Sequence, residues 1–222
     1  PEQPFPIRRV DFAHEGLPLA AARNAGRQAA SQDTLIFLDV DCIPSSSLVS
    51  GLSAAVAEHD ALVCCAIRYL PAGAVRDDWT EAALDSLGRF HPAREFPASG
   101  VKLIDNSGLF WSLAFAVRAA TFDRLGGFDE GYSGYGAEDT DLAFRAARAG
   151  IPLCFAGGMR AFHQHHPSCD PPLQPFEDII RNARRFHARH GFWPMSGWLD
   201  AFADRGLIAR NRETDITVLR AP

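Results

Sequence analysis

Apolar positions along this chain recur in two ways, as short unbroken runs and as stretches in which they return every three or four residues. Unbroken runs bounded by turn residues read as strands buried on both faces, and the longer period reads as helices with one apolar stripe. The runs predict strands over 35–38, 61–67, 113–117 and 152–155, with a shorter one at 7–12. The helical period predicts helices over 17–30, 45–58, 78–90, 119–125 and 138–149, and amphipathic helices over 176–190 and 197–204. Ser45, Ser46 and Ser47 offer an N-cap to the helix at 45–58, and Gly150 ends the one at 138–149. Strands and helices alternate, which predicts an α/β domain. The stretch 70–100 interrupts the alternation with Pro71, Gly73, Pro92 and Pro97, so it is expected to be an excursion, either mobile or facing a ligand.

Composition narrows the class. The 222 residues suffice for one continuous core, and a formal net charge of −5 without a long basic run argues against a nucleic-acid surface. All but one of the 22 Lys and Arg residues are arginine, a bias that a GC-rich genome explains as well as phosphate binding does. Cys42, Cys64, Cys65, Cys154 and Cys169 are odd in number and lack CxxC spacing, which predicts reduced thiols in a cytoplasmic protein. No run approaches the roughly 20 apolar residues of a membrane span. The start, Pro1-Glu2-Gln3-Pro4-Phe5-Pro6, has neither the basic beginning nor the apolar core of a signal peptide.

Chemistry concentrates in three places. In the first, the apolar run of Thr34-Leu35-Ile36-Phe37-Leu38 delivers Asp39 and Asp41 to its carboxyl end, where open α/β sheets bind ligands. Once the strand ends the chain can turn, so both carboxylates can converge on one divalent cation. A polar loop after a buried strand would look the same. The second is the loop from Gly126-Gly127-Phe128-Asp129-Glu130 to Tyr135-Gly136-Ala137-Glu138-Asp139-Thr140-Asp141. Its glycines allow close approach to a ligand, and the rings of Tyr132 and Tyr135 are suited to stack on a sugar. Acidic residues also favour a helix N-terminus, and Asp141 can pair with Arg145 one turn on, so Asp141 is assigned a structural role. Asp139, at the mouth of the loop, is positioned to take a proton from an alcohol. The third is Phe162-His163-Gln164-His165-His166, whose imidazoles are a plausible third arm for the cation. A zinc site built from His163, His165, His166 and Cys169 lacks paired cysteine spacing.

Taken in order, these pieces resemble the GT-A glycosyltransferases over roughly residues 17–167, especially the inverting enzymes of family 2 and the galactosyltransferase-type C-terminal region. The likeness rests on Ala22-Arg23-Asn24-Ala25-Gly26, the Asp39-Val40-Asp41 loop, the Gly-Gly-Phe-Asp-Glu and Gly-x-Glu-Asp-x-Asp stretches, and Phe162-His163-Gln164. Tyr135 stands where tryptophan is usual. The resemblance implies a mixed central sheet flanked by helices and a metal, Mn2+ or Mg2+, held by Asp39, Asp41 and His163. It implies a nucleotide-diphosphate sugar donor, UDP-linked for preference, and a carbohydrate or other hydroxyl acceptor. It makes Asp139 the catalytic base and Glu138 a ligand of sugar hydroxyls. Arg23, Asn24, Asp39, Gly108, Trp111, Tyr135 and Gly136 are the remaining candidates for donor or acceptor contact.

By the same likeness, residues 1–70 form the donor and metal half, 71–170 the acceptor half and 171–222 a helical extension of one domain. Little precedes Asp39, so the usual first β-α-β elements are expected to be missing and 7–12 to open the sheet. A sugar- or nucleotide-binding module without turnover is therefore one alternative. A haloacid-dehalogenase-like phosphatase with Asp39 as nucleophile is another, although Cys42-Ile43-Pro44 follows where a hydroxyl residue is usual and Lys102 is the sole lysine.

Overall fold

A period of two divides the core. In the computed structural model, which describes residues 5–14, 16–167, 169–211 and 215–222, three neighbouring strands send alternate residues to opposite faces of one sheet. From β3 (Leu62–Tyr69), β6 (Ala114–Arg118) and β7 (Leu153–His163), the residues Leu62, Cys64, Phe115, Val117, Leu153 and Phe155 point to one side. There they meet α1 (Leu19–Ala29), α4 (Ala119–Arg124) and α5 (Glu138–Arg148) through Ala20, Phe122, Leu142 and Ala146. Val63, Cys65, Ala114, Ala116, Cys154 and Ala156 point to the other side, onto Leu48, Leu52 and Val56 of α2 (Leu48–Glu58). Residues buried on both faces explain why these strands are unbroken apolar runs.

The sheet runs β1-β6-β3-β7-β2, with β1 at Thr34–Leu38 and β2 at Cys42–Pro44; β4 (Arg89–Phe90) pairs with β3, and β5 (Val101–Ile104) pairs with β7. Only the β3–β7 pairing is parallel, so the sheet is mixed as expected. Several sequence expectations are corrected. Residues 7–12 are irregular rather than a strand: Ile7 is 71% exposed, and among the described residues no strand pairs with the segment. Alternation alone makes no ladder without a partner. The strand expected at 152–155 instead continues to His163 through a bulge, because Cys65 pairs with Ala156 while Ala66 pairs with Arg160. Gly157 makes the continuation possible, since a Cβ there would lie 2.1 Å from the Pro97 carbonyl oxygen. The helix at 78–90 shortens to α3 (Glu81–Leu87), capped by Thr80, whose hydroxyl accepts from the Ala83 amide at 3.2 Å.

Beyond the sheet, α6 (Phe176–His190), α7 (Ser196–Asp204) and the hairpin of β8 (Ile208–Asn211) and β9 (Asp215–Val218) enclose a core of their own, including Phe176, Ile179, Leu199, Phe202 and Ile216. The hairpin has no counterpart in the sequence expectations. Among the described residues no helix is long and apolar enough to cross a membrane. Cys42, Cys64, Cys65 and Cys154 are buried free thiols, and burial pushes Cys64 up to about 11 and Cys65 up to about 12.

Asp141 joins the C-terminal helices to the rest. Its side chain is fully buried and accepts from Arg145 Nε at 2.7 Å, His190 Nε2 at 2.8 Å, Arg189 Nη1 at 2.9 Å and the Tyr132 hydroxyl at 3.3 Å. Burial alone would raise its pKa, and these donors, Arg145 first, overcome that and lower it. Tyr132 is thereby committed to the interior, only 3% exposed, and its ring is closed to any sugar, contrary to the sequence expectation. Removing one partner of a buried ionic cluster strands the others, so Asp141→Ala is expected to destabilise the chain by about 3–5 kcal/mol. Denaturant unfolding checks this; a loss below about 1 kcal/mol would place the cluster among pairs of no structural consequence.

Candidate active site

The carboxyl end of β1 leaves the sheet by a tight turn. The Asp39 amide donates to the Leu113 carbonyl at 2.8 Å, and the Cys42 amide donates back to the Asp39 carbonyl at 2.9 Å. The turn returns the chain as β2 alongside the end of β7, where Cys42 pairs with His163 and the Gln164 amide donates to the Asp41 carbonyl at 2.8 Å. Backbone bonds thus bring Asp41 beside the histidines. His163 Nε2 lies 3.4 Å and His166 Nε2 3.9 Å from Asp41 Oδ2, and the ligand atoms of all three lie within 4.8 Å of one another. Asp41 Oδ1 is buried without a hydrogen-bond partner, and burial holds His163 below its ordinary pKa, in the neutral form that ligates metal. A carboxylate oxygen lacking a donor beside two imidazoles fits a divalent cation. His165 is exposed and stands outside this group, as does Cys169.

Asp39 is engaged elsewhere. Arg23 of α1 donates through Nη2 to Asp39 Oδ1 at 2.9 Å and through Nη1 to Glu138 Oε1 at 3.1 Å. Burial acts to lower the Arg23 pKa, but the two carboxylates raise it. The Asp39 carboxyl is itself raised, by burial first and then, against the pull of Arg23, by Asp41 and Asp139. Asn24 is also committed: its amide oxygen accepts from the Phe128 amide at 2.9 Å, while its NH2 donates to the Phe128 carbonyl and to Glu130. Arg23 and Asn24 therefore hold the Gly-Gly-Phe-Asp-Glu loop and the start of α5 against α1.

At that start Asp139 Oδ1 accepts from the amide and hydroxyl of Thr140 at 2.6 and 3.2 Å, whereas Oδ2 receives one long bond, 3.4 Å, from the Ser112 amide. Burial raises the Asp139 pKa and Arg23 opposes it. Glu138 is raised from 4.5 to about 7, by burial first and then by the Asp139 charge. Ser112, unnoticed in the sequence because its backbone does the work, follows Trp111, whose ring packs edge-on to His91 at 4.6 Å and over the Arg94 guanidinium at 4.9 Å. Gly108 lies in a short 3-10 turn at Ser107–Leu109 and donates its amide to Asn106 Oδ1 at 2.9 Å. His166 was set behind His163 in the sequence; its signal was its place just past the strand end that carries His163.

The mixed sheet flanked by helices is of the GT-A class, and carboxylates and histidines gather where β1 and β7 end. The chain belongs to glycosyl transferase family 2, whose model matches residues 3–120. The model for the N-terminal domain of galactosyltransferase matches residues 91–167. Over 215 residues the chain is 29% identical to validoxylamine A glucosyltransferase of Streptomyces hygroscopicus subsp. jinggangensis (strain 5008), covering 87% of this chain and 49% of that protein. It is 27% identical over 191 residues to hyaluronan synthase of Pasteurella multocida, covering 75% of this chain and 19% of the other. The chain thus spans about half the length of the first relative and about a fifth of the second. A crystal structure of GalNAc-T7 with UDP, GalNAc and Mn2+ is similar at a TM-score of 0.49 and 20% identity, over 69% of this chain and 31% of that one. Family membership sets aside the phosphatase alternative, and Lys102 lies exposed on β5.

Because folding raises the Glu138 pKa, the native state keeps a proton that the unfolded chain releases above about pH 4.5. Glu138 therefore costs stability increasingly as the pH climbs from there to about 7. Glu138→Gln should gain on the wild type in melting temperature across that window. A difference that stays flat with pH would mean that Arg23 keeps Glu138 ionised throughout.

Proposed function

We propose that this chain carries the active site of an inverting, metal-dependent glycosyltransferase that moves a hexose or N-acetylhexosamine from a nucleotide-diphosphate sugar, UDP-linked for preference, to an acceptor hydroxyl. One observation carries the reading: an aspartate and two histidines with ligand atoms within 4.8 Å of one another stand in the same acidic site as Asp139, whose charge, like that of Asp41, is felt at Asp39. The family and the relatives support the reaction class. Asp41, His163 and His166 would hold the cation; one carboxylate with two imidazoles is a softer set than Mg2+ prefers, which favours Mn2+. Bound there, the cation would neutralise charge on the donor's diphosphate.

The protein groups supply the remainder. Asp139 Oδ2 accepts the proton of the acceptor hydroxyl as its oxygen bonds to the anomeric carbon and the bond to the diphosphate oxygen breaks on the opposite side. A raised pKa suits this task, since it brings the carboxylate nearer the working pH. One displacement inverts the anomeric centre. Arg23 holds Asp39 and Glu138 in place beside the donor and acceptor hydroxyls, and Tyr135 and Gly136 border the same space. The division into a donor half at 1–70, an acceptor half at 71–170 and an extension at 171–222 follows from this reading.

Asp139→Asn preserves size and should leave Mn2+-dependent UDP binding intact in calorimetry while UDP-sugar turnover falls by about 10²-fold or more. Near-normal turnover would reduce Asp139 to a helix-terminal residue. Asp41→Ala and His166→Ala should each weaken Mn2+-dependent UDP binding. Binding with an unchanged metal requirement in both would remove the cation from the proposal.

A further inference from the structure

Neither family model extends past residue 167, yet the residues beyond it hold the loop that leads to Asp139. Asn182, fully buried on α6, donates its NH2 to the carbonyls of Ser133 and Tyr135 at 3.0 and 3.1 Å, and Arg181 donates to Ser133 at 2.7 Å. Gly136, at φ +98°, packs so closely on Met195 that a Cβ would lie 2.9 Å from its sulfur. Ala137 and Met195 are the two non-glycine residues with positive φ among the described residues, at +72° and +49°. They open α5 and α7, and both belong to one small cluster with Tyr132 and Phe186. Strain of this kind persists only where the surroundings enforce it.

What the strained junction presents is a pair of rings. Trp198 of α7 stacks on Tyr135, with centroids 5.9 Å apart and planes 29° from parallel. Trp198 is half-buried with one side against the core of α6 and α7, and Tyr135 is 40% exposed, so the pair closes the edge of that core and borders solvent. Tyr135 ends the loop that runs through Gly136 and Ala137 into Glu138 and Asp139 at the start of α5, which sets the ring beside the acidic site, and burial first and then the Asp139 charge raise its phenol. A pyranose has an apolar C–H face, and a flat ring at the rim of a polar site is its natural complement.

We propose that Tyr135 and Trp198 form a platform for the acceptor sugar, and that helices α6 and α7 thereby govern acceptor specificity. The inference rests on the transferase reading above. The test compares wild type, Trp198→Ala and Trp198→Phe. Each is titrated with the p-nitrophenyl β-glycosides of glucose, galactose and N-acetylglucosamine by saturation-transfer NMR, and with UDP plus Mn2+ by calorimetry. At least one glycoside should bind the wild type, Trp198→Ala should weaken it at least about tenfold, and Trp198→Phe should stay within about threefold. UDP affinity should be equal in all three. Absence of glycoside binding, binding indifferent to Trp198→Ala, or an equal loss in Trp198→Phe would overturn the platform. Should Trp198→Ala lose its cooperative melt, Trp198→Leu carries the same comparison with the same outcomes. Trp198-dependent glycoside binding without UDP binding would keep the platform and remove the transferase; UDP binding with glycoside affinity indifferent to Trp198 would do the reverse.

Discussion

A single guanidinium decides the arrangement of the acidic site. Arg23, largely buried over the Phe128 ring, is shared between Asp39 at the end of β1 and Glu138 at the start of α5, residues 16 and 115 positions away in the chain. Without it, Asp39, Glu138 and Asp139 would crowd one site with no arginine between them to offset their charge. The fork of arginine suits this better than an ammonium would, because its nitrogens diverge toward two acceptors in one plane. Buried pairs of this kind often add little net stability. Their effect here is positional: α1, β1 and α5 cannot shift independently while Arg23 bridges them.

The acids at the head of α5 illustrate one sequence feature divided among several tasks. All three lie where the helix dipole favours negative charge. Asp141 turns inward onto Arg145, Arg189 and His190 and is held low, whereas Glu138 and Asp139 face the site and are raised by burial. Spacing along the helix sets Asp141 about 200° round from Asp139; Glu138, only about 60° away, is drawn to the site by Arg23 while Asp141 is drawn inward by Arg145 and Arg189. The left-handed Ala137 ahead of them fixes where that helix begins, and the C-terminal helices supply the contacts that hold it there.

Elements that carry their signal locally were legible in the chain. The helix at 176–190 was, because its apolar stripe is narrow and its flanks polar, and so were the strands at 61–67 and 113–117, which must be apolar on both faces. The ends of elements were not. Gly157 and Gly158 look like a break, and only the close approach of the Pro97 carbonyl turns them into a bulge within a longer strand. Residues 42–44 look like a loop because a strand of three residues has no period to detect; pairing with β7 makes them one. In the site, the pieces lay in the sequence as motifs, but who touches whom depended on partners distant in the chain. Asp39 and Asp41 are equivalent in an Asp-x-Asp pattern, and it is Arg23 on one side and the end of β7 on the other that separate them.

That separation bears on how the site would work. The Asp41, His163 and His166 group is fixed by the β2–β7 ladder and by the Gln164 amide on the Asp41 carbonyl, all within the sheet. Asp139 belongs to α5, whose position is set by Arg23, Ser112 and the C-terminal helices. A donor held at the first group and an acceptor aligned at the second must meet within a few tenths of an ångström for in-line displacement. The precision of that meeting depends on interactions outside both groups, above all on Arg23, which touches the strand end and the helix start together.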